Sequence, residues 1–238
     1  MIREARVFSD GKGLTHAVAE ESLRIAEDSV GKEGRCAICL SGGTTPRALN
    51  ELWARGYAAR MPWKEIHLFW GDERYIPPED ERSNYRMVRE SLITHVPVPP
   101  ANIHPMPTHF EHPDDAAKDY EAKLRKFFGP VAAFDLLFLG VGPEGHTASL
   151  FPGSPALGES QRWVLAVKTP ADPPTRLTLT YPVINRAKNV FFLAEGPKKR
   201  DIVQTIRHEP DGDSSAYPAA RVHSPGRVIW FLDQSAAF

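Results

Sequence analysis

Six short apolar runs set the terms on which this chain can fold. Residues 35–40, 66–70, 134–139, 163–167, 189–194 and 227–232 are rich in β-branched, aromatic and leucine side chains. They are nearly continuous in their hydrophobicity rather than alternating, which is the pattern of strands buried on both faces. Between them come helical patterns. Leu14, Val18 and Ile25 share one helical face, Tyr85, Val88 and Leu92 another, and Tyr120, Leu124 and Phe127 a third. Strands that alternate with helices over short connections predict an α/β fold, a mainly parallel, doubly wound sheet with helices on both faces. No stretch has the composition of a linker or a repeat, so a single domain over residues 1–238 is expected.

Composition narrows the function. The 238 residues carry a formal net charge of -1, which provides no basic field for nucleic acid or anionic lipid. The N-terminal Met1-Ile2-Arg3-Glu4-Ala5-Arg6 is charged and lacks the apolar core of a signal peptide. No apolar run is long enough to span a bilayer. A cytoplasmic protein without nucleic-acid or membrane partners is therefore expected; the apolar pattern leaves the oligomeric state open. The two cysteines, Cys36 and Cys39, form a CxxC, but they fall in a strand pattern that points them to opposite faces. No second CxxC completes a tetrahedral metal site. Both read as small apolar core residues.

Ligands of open α/β sheets bind at the carboxyl ends of the strands, and the polar motifs of this chain cluster there. After run 35–40 comes Ser41-Gly42-Gly43-Thr44-Thr45-Pro46. Its glycines admit a ligand close to the backbone, and the helix expected to follow offers free N–H groups to an anion. Thr45 suits the helix cap, Pro46 the first turn, and Gly56 the end. A plain tight turn would need the same glycines, and there is no Walker lysine. After run 66–70 comes Gly71-Asp72-Glu73-Arg74, where a planar guanidinium could hold an oxyanion or phosphate and a carboxylate could orient a hydroxyl or a histidine. Ser83 then caps a helix that begins with Asn84. After run 134–139 comes Gly140-Val141-Gly142-Pro143-Glu144-Gly145-His146-Thr147, followed by the helix-compatible Ala148-Ser149-Leu150-Phe151. The first six of these satisfy G-x-G-x-x-G, yet Pro143 interrupts the loop and the next strand ends at Lys168, not at an acidic ribose-binding residue. A dinucleotide site is not expected. His146 is the best general-base candidate, because imidazole titrates near neutrality. Arg176, in the alternating stretch 176–180, and Lys199, at a helix start, are cations suited to a phosphate. His104, His109 and His112 lie in a proline-rich loop with no metal-ligand spacing.

With these residues in view, the chain resembles the 6-phosphogluconolactonase family. The resemblance runs through residues 40–46, 70–74 with 83–86, 139–153 and 176–180, and extends to 218–221 and 230–233, nearly end to end. It implies one domain with a modified, Rossmann-like doubly wound sheet, related to that of glucosamine-6-phosphate deaminases. It also implies a metal-free, cofactor-free hydrolysis of the sugar-phosphate lactone 6-phospho-D-glucono-1,5-lactone. On this reading His146 activates water, Arg74 stabilises the oxyanion or holds the substrate in place, and Asp72 positions His146 or the sugar hydroxyls. Ser41, Gly42, Gly43, Thr44, Gly142, Arg176 and Lys199 hold the phosphorylated substrate, with Glu144 and Asn84 as orienting groups. One departure is visible: the family usually has aspartate where this chain has Glu144. The rival readings are an aldose–ketose isomerase or deaminase of an amino-sugar phosphate, and a sugar-phosphate-binding regulator without catalysis. No G-x-S-x-G elbow suggests an acyl-enzyme.

Overall fold

Ten strands and seven α-helices follow one another in the computed structural model, which describes residues 2, 4–209 and 216–238. Met1 and Arg3 of the charged N-terminus lie outside the described residues. β1 (Ala5–Phe8) leads into α1 (Gly11–Glu33), β2 (Cys36–Leu40) into α2 (Thr44–Leu52), and β3 (Ile66–Trp70) passes at once into β4 (Asp72–Arg74) and then α3 (Asn84–Ser91). Next come β5 (Ile103–His104), α4 (Pro113–Phe128), β6 (Leu136–Leu139), β7 (Val164–Lys168) and β8 (Thr175–Leu179). A short α5 (Tyr181–Ile184), β9 (Asn189–Ala194), α6 (Arg200–His208), β10 (Arg227–Asp233) and α7 (Gln234–Ala237) complete the order.

Seven strands form one sheet in the order β1-β10-β9-β6-β2-β3-β5, and every pairing in it is parallel. From β1 to β5 the chain moves toward one edge; from β6 to β10 it moves toward the other. Right-handed crossovers therefore put α1, α2 and α3 on one face and α4 and α6 on the opposite face. The direction reverses between β2 and β6, which are neighbours. Their carboxyl ends form the switch point where a doubly wound sheet opens a crevice. All five residues of β2 and all four of β6 are buried, as the continuous apolar runs require. Cys36 and Cys39 are free thiols within this core, where burial pushes both well above the ordinary thiol range. No helix among the described residues is long and apolar enough to cross a membrane.

Five local expectations need correction. Run 163–167 does form a strand, β7, but it belongs to a separate antiparallel sheet, β4-β8-β7. α2 is capped by Gly43 at φ 110, not by Thr45, because the Thr45 hydroxyl donates to Glu195 Oε2 at 3.0 Å. Gly56 does not end the helix: the chain continues through a π-helical turn, Trp53–Tyr57, whose Trp53 and Tyr57 are buried. No helix follows Thr147. Thr147 and Leu150 form an isolated β-bridge, the Thr147 hydroxyl donates to Gly140 O at 2.8 Å, and Ala148 adopts a φ of 48. Pro152-Gly153 would stop a helix within a turn in any case. Of the three histidines assigned to a loop, His104 lies in β5, paired in register with Phe69.

Candidate active site

The small sheet supplies the first half of the site through period-2 geometry. Asp72 pairs with Thr178, Glu73 with Leu177 and Arg74 with Arg176 across the antiparallel β4–β8 ladder. Alternation puts Asp72, Arg74, Arg176 and Thr178 on one face and Glu73 and Leu177 on the other. Two arginines thus stand opposite each other, an arrangement that costs stability unless anions answer it. Asp72 Oδ2 is 4.0 Å from Arg176 Nη1, and that oxygen also accepts from Ser149 Oγ at 2.7 Å. Arg176 Nε donates to Pro173 O at 3.2 Å; Arg74 Nη1 donates to Arg82 O. Burial makes Arg176 hold its proton less tightly than usual, though far above neutrality a guanidinium stays charged.

On the opposite face of β4, Glu73 is 2 % exposed and fastens the strand to α3. Its Oε1 accepts from Asn84 N at 2.8 Å and Arg74 N at 2.7 Å, and its Oε2 from Tyr85 N at 2.7 Å. A carboxylate at a helix start suits the positive end of the helix dipole. Ser83 caps the same helix as expected, accepting from Arg86 N at 3.1 Å. Asn84 is thereby delivered to the cradle after β2: its Nδ2 donates to Asp72 O at 3.0 Å. A Cβ on Gly42 would lie 2.0 Å from Asn84 Oδ1, so Gly42 is glycine because the amide occupies that space.

The turn after β6 carries His146. Gly142 N–H donates to His146 O, and Gly145 N–H to Gly142 O, both at 2.9 Å. A Cβ on Gly142 would lie 2.0 Å from His146 Nδ1, so the imidazole rests directly on bare backbone. Glu144 Oε1 is 3.1 Å from that nitrogen, off the line of a hydrogen bond. Phe151 stacks on the ring, with centroids 4.1 Å apart. Burial holds the His146 pKa below the ordinary imidazole value, against the opposing pull of Glu144 and Asp72. Burial therefore favours the neutral ring. Lys199 Nζ donates to Val141 O at 2.7 Å, and burial eases its proton too.

One pocket of about 300 Å³ gathers these parts at the switch point. Ser41, Gly42, Gly43, Asp72, Arg74, Asn84, Gly142, His146, Arg176 and Lys199 all line it. Thr44 does not; it is the exposed first residue of α2. Glu144 stands beside the pocket, against His146. Ser41 Oγ and Arg74 Nε are buried there without a hydrogen-bond partner among the described residues, so both are available to a polar ligand. Asp72 takes its hydrogen bonds from Ser149 and Asn84 rather than from His146. Ser149, Phe151 and Glu73 act on the site without having been singled out from the sequence. They lie inside recognised motifs, but a buried positioning role leaves no mark in spacing. Among the described residues no three His, Cys, Asp or Glu side chains converge on a metal site.

The chain is similar to known proteins over nearly its whole length. The family model described as glucosamine-6-phosphate isomerases/6-phosphogluconolactonase matches residues 9–230. A 6-phosphogluconolactonase of Synechocystis sp. is 44% identical over 212 residues, covering 87% of this chain and 86% of the relative. One of Mycobacterium tuberculosis is 37% identical over 245 residues, covering 100% and 98%. The crystal structure of the 6-phosphogluconolactonase from Thermotoga maritima superposes with a TM-score of 0.84 at 29% identity, covering 97% of this chain and 99% of that one.

Proposed function

The chain belongs to the glucosamine-6-phosphate isomerase/6-phosphogluconolactonase family, and we propose that it is a 6-phosphogluconolactonase. It hydrolyses 6-phospho-D-glucono-1,5-lactone to 6-phospho-D-gluconate, in one domain and a cytoplasmic setting, without a metal ion or cofactor. The observation that carries the reading is a half-buried histidine sharing one pocket with three cations, Arg74, Arg176 and Lys199. A phosphorylated lactone needs both: positive charge for the phosphate and a base for water.

In the proposed reaction the phosphate rests on the Gly42-Gly43 backbone at the start of α2 and is neutralised by Arg176 and Lys199. Its binding energy places the lactone carbonyl beside His146. With Nδ1 turned to Glu144 and Gly142, Nε2 is the nitrogen left to take a proton from water. The water oxygen bonds to C1 while the carbonyl π pair moves onto its oxygen, which Arg74 stabilises. Collapse of this intermediate breaks the bond from C1 to the ring oxygen, and His146 returns its proton to that oxygen. The acid released at C1 then ionises.

Freshly generated lactone, assayed above its spontaneous hydrolysis, tests the proposal. His146→Ala should lower kcat/KM by roughly 100-fold or more, and EDTA should leave the wild-type rate unchanged. Because burial favours the neutral His146 ring, kcat/KM should hold through neutrality and fall only below the ordinary imidazole value of 6.5. A near-normal rate in His146→Ala would overturn the base assignment. Ammonia released from glucosamine 6-phosphate would instead favour the deaminase reading.

A further inference from the structure

Phe151 is buried, at 4 % exposure, yet it stands apart from the main apolar core. That core holds every other buried aromatic side chain among the described residues. The neighbour of Phe151 is the imidazole of His146, nearly parallel to it at 19° with centroids 4.1 Å apart. The imidazole also lies against Gly142, where an added Cβ would fall 2.0 Å from Nδ1 and 2.2 Å from Cε1.

We propose that Phe151 is a positioning residue for His146: its ring clamps the imidazole against the Gly142 backbone and keeps water from that face. The inference rests on the reading of His146 as the base and deepens it. Stacking of this kind confines a ring in tilt while leaving its edge nitrogens free. The near-attack geometry that water needs depends on such confinement. The groups that face the imidazole from neighbouring elements are Glu144 in its own turn, Asp72 on β4 and Arg176 on β8. Lys199 and Arg74 line the same pocket. Glu144 and Asp72 favour the protonated ring, Arg176 disfavours it, and burial outweighs all three. Phe151, itself buried and stacked on the ring, covers one face of the imidazole. Without its cover the ring is hydrated, the two carboxylates prevail, and the proton binds at higher pH.

The test compares Phe151→Ala with Phe151→Leu, reading the NMR titration of the His146 ring in the free protein alongside kcat and KM on fresh lactone. Phe151→Ala should shift the titration and the acid limb of kcat/KM upward together. It should lower kcat about ten-fold or more with KM changed by less than about two-fold. Phe151→Leu keeps the apolar cover but loses the flat face; its titration should stay near the wild type while kcat falls by about three-fold. Since Phe151 lies outside the main core, both variants should fold. An unmoved titration in Phe151→Ala, with kcat within about two-fold of wild type, overturns the proposal. If Phe151→Ala does not fold, wild-type kcat in Phe151→Leu does the same. The titration needs no turnover, so an active His146→Ala would end the base reading and leave the shielding role decided on its own.

Discussion

At the scale of single residues the site is built as much from missing side chains as from present ones. Gly42 yields its Cβ position to Asn84 and Gly142 yields its own to His146, so two glycines that look like phosphate contacts in the sequence also act as sockets. A socket fails differently from a ligand. Gly142→Ala would put a methyl group 2.0 Å from His146 Nδ1 and drive the imidazole off its place. A displacement of about 1 Å costs on the order of 100-fold in rate, so kcat should fall by that much while the phosphate end, and with it KM, changes little. Kinetics on fresh lactone with a thermal melt of the same protein check this; a KM effect with kcat preserved would return Gly142 to phosphate binding. The convergence of His146, Arg74 and Arg176 on one pocket was legible in the sequence because each follows or occupies a strand pattern at the ligand edge. The meaning of Asp72 was not. Its bonds to Ser149 and Asn84 join residues 77 and 12 positions apart, and no spacing rule reaches that far.

At the scale of elements, long apolar runs and period-3.6 stripes were legible, since burial on both faces of a strand or one face of a helix dominates their composition. β1, β4 and β5 were not, being short, and β4 is a run of charges. The charges of β4 become a strand only because β8 offers a partner and because Glu73 is answered by three backbone N–H groups. β5 carries a consequence for stability. His104 on β5 and His67 on β3 face each other with Nε2 and Nδ1 3.1 Å apart, a hydrogen bond that requires one nitrogen to remain unprotonated. His104 is also stacked on Phe69 at 4.4 Å, with Arg35 and Lys123 the cations nearby. Burial lowers both imidazoles, His104 to about 4. The unfolded chain binds the His104 proton near 6.5 and the folded one only near 4, so acid favours unfolding throughout that window. Stability should fall by on the order of 1 kcal/mol as pH drops through it, allowing for partial exposure. Urea melts at several pH values should show the slope in the wild type and a flatter one in His104→Asn. Equal slopes would mean that other groups carry the acid sensitivity.

At the scale of the molecule, the pocket sits where two independent constructions meet. The parallel sheet contributes the cradle after β2 and the histidine turn after β6, both at the reversal of strand order. The antiparallel sheet contributes Asp72, Arg74 and Arg176. A site divided in this way works only if the two halves keep a fixed distance. Ser149, 1 % exposed, is the clasp between them: its Oγ donates to Asp72 Oδ2 at 2.7 Å and its N–H to Thr178 Oγ1 at 3.2 Å. It lies three residues beyond His146, on the far side of Ala148, whose φ of 48 is uncommon for a residue with a side chain. The backbone there is bent to bring Ser149 onto β4 and β8, and a hydrogen bond to a buried carboxylate contributes about 1.5–3 kcal/mol toward that bend. The two groups should therefore behave as one unit in a double-mutant cycle. Ser149→Ala and Asp72→Asn should each lower kcat/KM, and the double variant should be little worse than the more damaging single one, with a coupling of about 1–3 kcal/mol. Additive losses would mean that Asp72 acts on substrate independently of the clasp.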